Sequence, residues 1–331
     1  MEWSTEVKIP ESPDKITHGM PVVTIGSCFS DAVGDRLRQR LFNVQVNPLG
    51  TLYNPLSIAD ALERAINGYS YTTADLFQAR GMWHCLDFHS AFSRTDCAEA
   101  LEGMNSAVTA LHDALPTLKV LMITFGSAHA FVHKATGRVA GNCHKLPPSE
   151  FSETDIPVEA IVTRFTALVK RLQALSPGLM VIFTVSPIRH KAYGFHADKL
   201  SKARLLLATE EICAATGAHY FPAYEIMNDE LRDYRFYAAD MIHPSETAAD
   251  HIFDRFAHTY FSPSTRALAA SCLAFTRRLA HRPMAGDCSG EYARFAQDTI
   301  TLAEELTEKH PELTDAINRM TSANPIFQYK Q

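Results

Sequence analysis

Short runs of apolar residues alternate along the chain with stretches of helical periodicity. Apolar runs of this length are typical of strands buried on both faces of a parallel sheet, and the periodic stretches predict the helices that connect them. The pattern therefore predicts an α/β fold, a three-layer α/β/α sandwich around a mainly parallel five-stranded sheet. The five predicted strands lie at 22–25, 41–46, 119–125, 179–185 and 218–222.

The pattern changes after residue 261. From 262 to 331 helical periodicity continues without another apolar run that would predict a strand. We therefore expect two parts, a sheet domain over residues 1–261 and a helical extension over 262–331 packed on it.

The stretch Pro21–Leu37 predicts a strand, a tight turn and the start of a helix. Ser27 follows the glycine of that turn, where a hydroxyl can project into a cleft beside the N–H groups of the new helix. This geometry suits a nucleophile. A serine directly before a helix more often serves only as its N-cap, so both interpretations are open at this point.

Ligands of open parallel sheets bind beyond the carboxyl ends of the strands. The residues at the predicted strand ends include a serine, a glycine-containing turn, several amides and an Asp–His pair, which is the inventory of acyl-transfer catalysis. They are Ser27, residues 47–51, residues 126–129, residues 186–190, Asp240 and His243.

Asp240 and His243 are three residues apart. In a tight turn, the carboxylate can accept the Nδ1 proton of the ring and leave Nε2 free to deprotonate a nucleophile. The alternative is that Asp240 caps a turn and His243 is a polar residue before the next helix.

The order and spacing of these residues resemble the SGNH/GDSL hydrolase superfamily, and Gly26-Ser27-Cys28-Phe29-Ser30 resembles the signature of the GSCFA-domain family. Further segments that resemble this family lie at 46–55, 142–145, 184–190, 200–203 and 233–245. The resemblance implies an SGNH- or flavodoxin-like fold. It also implies a triad of Ser27 as nucleophile, His243 as base and Asp240 as its orienting partner.

The same resemblance assigns the oxyanion hole. It implies that the backbone N–H groups of Ser27 and Gly50 are donors. The superfamily's third donor is an asparagine in a G-x-N-D turn, which this chain replaces with Gly126-Ser127-Ala128-His129. We expect Asn142 to substitute for it, with His144 beside it; alternatively, these two residues satisfy buried backbone groups.

Two further residues near the predicted strand ends have open roles. Arg189 either holds an anionic part of the substrate or pairs with an acidic residue. Cys28 adjoins Ser27, and we expect its side chain to point away from that of Ser27, toward the core.

Composition narrows the classes of function. A net charge of −6 over 331 residues, without a basic cluster, argues against a nucleic-acid partner. No stretch approaches 18 apolar residues, and the polar N-terminus lacks the features of a signal peptide. The seven cysteines include no C-x-x-C pair, so we expect reduced thiols, a cytoplasmic location, and neither a metal nor another cofactor.

Together these observations predict a serine hydrolase that acts on ester bonds of a small-molecule or carbohydrate acyl ester, without a nucleic-acid partner or a membrane span. One alternative is an O-acyltransferase that uses the same triad. Another is a glycan- or ligand-binding domain with a vestigial site, and a third is an interaction scaffold formed by the C-terminal helices.

Overall fold

The computed structural model describes residues 5–281, 290–322 and 324–329. Its strands are β1 (Val22–Gly26), β2 (Val44–Val46), β3 (Phe77–Ala79), β4 (Met82–His84), β5 (Val120–Phe125), β6 (His129–His133), β7 (Val139–Ala140), β8 (Phe151–Asp155), β9 (Met180–Val185) and β10 (His219–Tyr220). Its helices are α1 (Cys28–Gln39), α2 (Pro55–Ile66), α3 (Cys97–Ala114), α4 (Val158–Leu175), α5 (Phe195–Thr216), α6 (Ala223–Glu225), α7 (Glu246–Tyr260), α8 (Pro263–Leu279), α9 (Glu291–Lys309) and α10 (Thr314–Thr321).

The central sheet has five parallel strands in the order β10-β9-β5-β1-β2, which confirms the predicted fold class. Every residue of β1 and β5 is buried, as their apolar runs require. The chain reverses its direction of growth between β1 and β5. In open α/β sheets, the crevice at such a switch point, beyond the carboxyl ends of the strands, is where ligands bind.

Helices cover both faces of this sheet. On one face, α2, α3, α4 and α5 bury a core that includes Leu62, Met104 and Phe165. On the other face, α1 and α7 pack around Phe29 and Phe253. The two cores make the three layers of the sandwich.

Two small antiparallel sheets lie outside the central one. A hairpin joins β3 to β4, and β6 pairs with both β7 and β8. Strand β8 was not predicted, because four of its five residues are exposed and its sequence does not alternate between apolar and polar residues.

The helices α8, α9 and α10 form the predicted C-terminal helical part. They enclose a small core that includes Phe275 and Leu313 and also takes in Leu41, from the end of α1. The hydroxyl of Thr276 donates to the Gln39 carbonyl at 2.7 Å, which fixes α8 against α1. Within the described ranges, no helix combines the length and apolarity needed to cross a membrane.

Candidate active site

The turn between β1 and α1 is fixed by its neighbours on both sides. Gly26 has a φ of 136°, and a Cβ atom there would lie 2.1 Å from the Thr124 carbonyl oxygen of β5. Its N–H donates to the Asn47 side chain at 2.9 Å. Only glycine fits this close approach of two parallel strands, and the turn therefore presents the start of α1 in one orientation.

The structure does not place Ser27 where a nucleophile would have to stand. It is 1% exposed, is not part of the lining of the cavity described below, and its hydroxyl accepts the Phe29 N–H at 3.3 Å as the N-cap of α1. Its backbone N–H donates to the Thr124 carbonyl at 3.1 Å, so it is not free to bind an oxyanion either. The capping interpretation is the one that the geometry supports, because the hydroxyl must turn toward the helix end to satisfy an N–H group.

Cys28 occupies the position expected for Ser27. Its side chain packs partly against the core beneath α1, as expected, but it also lines a cavity of about 420 Å³, which was not expected. Its Sγ lies 3.7 Å from Nε2 of His243. The reason is helical geometry: once Ser27 caps α1, Cys28 is the first helical residue, and its side chain projects from the helix end beyond the sheet.

His243 and Asp240 form the pair predicted from their spacing. Nδ1 of His243 lies 2.6 Å from Oδ2 of Asp240, while Oδ1 of Asp240 accepts the backbone N–H groups of Ile242 and His243 at 2.9 and 3.0 Å. The carboxylate thus binds the turn and the ring at once. Because Nδ1 carries the proton toward the carboxylate, Nε2 of the neutral ring is left as an acceptor facing Cys28.

The hydrogen bonds from the ring and backbone of His243, and from the backbone of Ile242, lower the pKa of Asp240 to about 2. The carboxylate is therefore ionised at neutral pH. An ionised Asp240 fixes the tautomer of His243 and stabilises the imidazolium that forms when the ring takes up a proton.

Arg189 anchors the loop that carries this pair. Its backbone N–H donates to the Ile242 carbonyl at 3.2 Å, and Nη1 donates to the Met241 carbonyl at 3.0 Å. Its guanidinium also lies 4.1 Å from the ring centre of Phe195. Arg189 lines the same cavity as Cys28. Of its two predicted roles, pairing with an acidic residue does not occur within the described part of the chain.

The thiol of Cys28 is a neutral group at rest. Burial, and next the charge of Asp31, raise its pKa above the ordinary value. Its own backbone N–H, the charge of Lys202 and the Tyr53 hydroxyl oppose that shift, in decreasing order. Burial raises the pKa of Tyr53 to about 12, so its phenol keeps its proton. A thiol of this kind needs a base to become nucleophilic, and Nε2 of His243 is the base within reach.

Gly50, predicted as an oxyanion donor, does not reach the cavity. Its N–H donates to the Asn47 carbonyl at 2.7 Å, and a Cβ atom there would lie 2.3 Å from that of His89. The glycine therefore serves a tight turn under a neighbouring side chain. The N–H of Cys28 belongs to the first turn of a helix, and no backbone carbonyl of the described residues accepts it. It faces the thiol of the same residue.

Asn142 and His144 separate in the structure. Asn142 lines the cavity, and its Oδ1 accepts the His144 N–H at 2.8 Å, which directs the amide NH₂ away from that bond. His144 is buried outside the cavity, with its ring nitrogens bonded to the Cys85 carbonyl and the Ser90 hydroxyl. Burial lowers the pKa of His144 to about 4. The alternative role, support of buried groups, therefore accounts for His144 in full. Asn142 does both: its oxygen accepts a backbone N–H, and its side chain also lines the cavity.

Lys202 stabilises the floor of the site. Its side chain is 1% exposed, and Nζ donates to the carbonyls of Gly126 at 2.6 Å and Ser186 at 2.8 Å. Burial lowers its pKa to about 8. The lysine ties together the ends of β5 and β9, so the strand ends that border the cavity cannot spread apart.

Sequence reasoning missed the orientation of Cys28 and the contribution of Tyr53. The signal for Cys28 was present, because a serine used as an N-cap makes the next residue the first of the helix. No comparable signal marked Tyr53, whose position depends on how the loop after β2 returns to the sheet. Among the described residues, no cluster of three or more His, Cys, Asp or Glu side chains is arranged to hold a metal ion.

The comparisons with known proteins agree with the predicted family. The model of the GSCFA family matches residues 21–256. Among solved structures, the chain is similar to the psychrotrophic esterase EstA from Pseudoalteromonas sp., inhibited by monoethylphosphonate, with 14% identity and a TM-score of 0.36. The match covers 72% of this chain and 95% of that one. No curated protein matches the chain.

Proposed function

The chain belongs to the GSCFA family, and from that premise we propose that it is an acyl-ester hydrolase whose nucleophile is the thiol of Cys28. The observation that carries the proposal is one row of contacts. Sγ of Cys28 lies 3.7 Å from Nε2 of His243, whose Nδ1 lies 2.6 Å from Asp240. We also propose that the family is related to the SGNH/GDSL hydrolases, with cysteine in place of their serine.

In the acylation step, Nε2 of His243 takes the proton of the Cys28 thiol, and the sulfur attacks the carbonyl carbon of the ester. The oxyanion of the tetrahedral intermediate accepts the backbone N–H of Cys28 and the amide NH₂ of Asn142. When the intermediate collapses, the C–O bond breaks and His243 returns its proton to the leaving alcohol. A thioester on Cys28 remains.

In the deacylation step, water enters beside the imidazole, whose side chain is 48% exposed. His243 takes a proton from that water, and the resulting hydroxide adds to the thioester carbonyl. The C–S bond then breaks, the thiolate recovers the proton from His243, and the acid leaves. Asp240 keeps the ring in the same orientation through both steps.

The walls of the cavity support an acyl ester as substrate. Tyr53, Phe131, Ile188 and Tyr193 give the cavity apolar surface, and polar residues such as Ser127 and Asn142 lie in the same lining. Such a lining holds an acyl chain or the face of a sugar ring. We therefore propose a small-molecule or carbohydrate ester as substrate.

The proposal assigns catalysis to the sheet domain, residues 1–261, and makes the helices after residue 262 an accessory part. It also requires Cys28 to be a reduced thiol, the state expected of cysteines in a cytoplasm. The six described cysteines, Cys28 among them, are free thiols; Cys288 lies outside the described residues.

Hydrolysis of p-nitrophenyl acetate tests the proposal. We expect Cys28→Ala to lower kcat/KM by about 10³-fold or more, to the background of the remaining thiols. Cys143→Ala is the matched control, since Cys143 lines the same cavity and burial raises its pKa to about 11. An equal rate for Cys28→Ala and the wild type would contradict the proposal.

A further inference from the structure

A second cavity, of about 500 Å³, adjoins the one that holds Cys28. Arg189 belongs to the walls of both cavities, so a molecule bound in one can extend toward the other. The rest of the second wall comes from α5, which supplies Lys199, and from the segment 224–237 that leads into the Asp240–His243 loop. The proposed chemistry uses none of these other residues.

Two cations of this wall, Lys199 and Arg189, form no close ion pair. The buried Asp198 acts on both through space, but Lys202 has the stronger effect on that carboxylate. Nζ of Lys199 donates to the Tyr224 hydroxyl at 2.7 Å and to Asn228 at 3.3 Å, which are neutral groups. Arg189 donates to a backbone carbonyl and stacks on Phe195. Across the described ranges, no carboxylate lies within 4 Å of either cation. Side chains held in this way keep their charge available for a ligand.

The cavity also contains carboxylates, whose charge must be weighed against the cations. Asp233 binds the backbone N–H of Arg235 at 2.9 Å and lies 3.7 Å from its Nε, which offsets its charge. Asp229 is the other carboxylate of the lining, and Arg232 is a third cation there. The lining thus holds three cations, Arg189, Lys199 and Arg232, against two carboxylates, and Arg189 is the one that the two cavities share.

Three tyrosines complete the wall, namely Tyr224, Tyr234 and Tyr237. The ring of Tyr234 is 68% exposed and lies 6.2 Å from that of Tyr237. An aromatic ring exposed to this degree offers a flat apolar face to a ligand, and the neighbouring Asn228 and Asp229 offer hydrogen-bonding groups. Ring faces beside polar groups fit a sugar ring, and the cations fit an anion attached to it.

We propose that the second cavity binds an anionic sugar, bearing a phosphate or a carboxylate, as the part of the substrate next to its ester. Lys199 and Arg189 hold the anion, and Tyr234 packs on the ring. The inference rests on the proposed function for the position of the ester, but the binding itself does not require catalysis.

Calorimetric titration of the Cys28→Ala protein tests the binding directly. The probes are glucose 6-phosphate, glucuronate, glucose and inorganic phosphate. We expect at least one of the two sugar anions to bind about tenfold more tightly than glucose, and the two anions distinguish phosphate from carboxylate. In the same protein, Lys199→Met weakens that binding about tenfold or more, whereas Lys170→Met, on the exposed side of α4, leaves it unchanged.

Tyr234→Ala distinguishes the contribution of the sugar ring to binding from that of the anionic group. Loss of the ring weakens binding of the sugar anion about threefold to tenfold and leaves inorganic phosphate unchanged. Glucose binding as tightly as both sugar anions, or a Lys199→Met variant equal to its parent, overturns the inference even if the ester is hydrolysed. Binding of the sugar anion by a protein that hydrolyses no ester supports the inference and removes only the proposed function.

Discussion

The two halves of the candidate triad, Cys28 on one side and the Asp240–His243 pair on the other, are held in place by different interactions. Cys28 follows a turn in which Gly26 and Ser27 are buried between β1, β5 and α1. Asp240 and His243 lie on a loop where their side chains are 45% and 48% exposed. The first support is the packed core of the sheet domain, and the second is a set of hydrogen bonds within one turn and to Arg189.

The difference separates two kinds of defect. A substitution in the β1–α1 turn disturbs strands and helix together, because core packing does not tolerate added atoms. A substitution at Asp240 or His243 removes a group from solvent-exposed surface, where the cost in stability is usually small. Substitutions in the turn should therefore lower the stability of the fold first, and substitutions in the loop should lower the catalytic rate first.

Gly26→Ala is the strongest test of the buried half. The new Cβ would lie 2.1 Å from the Thr124 carbonyl oxygen at a φ of 136°, so the strands must separate. We expect a loss of more than about 4 kcal/mol in the free energy of unfolding, measured by urea denaturation, or no folded protein. Gly103→Ala in α3, where a Cβ meets nothing within 4 Å, is the control that should fold. A Gly26→Ala protein of wild-type stability would show that the turn is not rigid.

His243→Ala tests the exposed half. We expect kcat/KM for p-nitrophenyl acetate to fall about 10³-fold while the melting temperature stays within a few degrees of wild type. Asp240→Asn should resemble it, because an amide no longer fixes the tautomer of the ring. His258→Ala, an exposed histidine of α7, serves as the control for loss of an imidazole. A large drop in melting temperature for His243→Ala would contradict the expectation that this loop contributes little to stability.

The pH dependence of Cys28 alkylation tests whether His243 accepts the proton of the thiol. Since burial raises the pKa of Cys28 above its ordinary value, the thiol of a His243→Ala protein should react with iodoacetamide slowly at neutral pH and faster as pH rises above about 9. In the wild type, His243 accepts the proton, so at pH 7 we expect a rate about a hundredfold higher. Asp240, with a pKa of about 2, should cause no loss of rate down to about pH 4. Superimposable pH profiles for the two proteins would exclude His243 as the base.

Ser27→Ala produces the smallest expected effect. Removing the hydroxyl leaves the Phe29 N–H without its cap, and such losses cost about 1 kcal/mol. We expect a correspondingly lower free energy of unfolding by urea denaturation, and kcat/KM within about threefold of wild type. A loss of activity comparable to that of Cys28→Ala would return the nucleophile to Ser27.

The sequence allowed the sheet to be predicted because its strands are buried on both faces. The runs that became β1, β5 and β9 contain little but apolar residues, and the helices between them show clear periodicity. Strand β8 is different, since its register depends on pairing with β6 and not on burial. The local pattern of apolar residues predicts which elements are buried. It does not predict an element that is stabilised by pairing with a strand distant in sequence.

The same distinction between local and long-range determinants applies to the residues of the candidate site. Asp240 and His243 could be paired from the sequence because a three-residue spacing within one turn determines their distance. Which of Ser27 and Cys28 faces His243 could not be decided in this way, since one helix cap reverses the answer. Gly50 and Asn142 are joined to the cavity only by the path of long loops, and the structure brings in the second and not the first.

The identity of the acylated residue tests the role of Cys28 as nucleophile. Wild-type protein is mixed with p-nitrophenyl acetate, quenched in acid within the first turnover, and analysed by peptide mass spectrometry with fragmentation between Ser27 and Cys28. If Cys28 is the nucleophile, we expect one acetyl group on Cys28, which neutral hydroxylamine removes, as expected of a thioester. The Ser27→Ala protein should still form this acetyl group, and the His243→Ala protein should form it more slowly. An acetyl group on Ser27, or turnover without any acetylated Cys28, would contradict that role of Cys28.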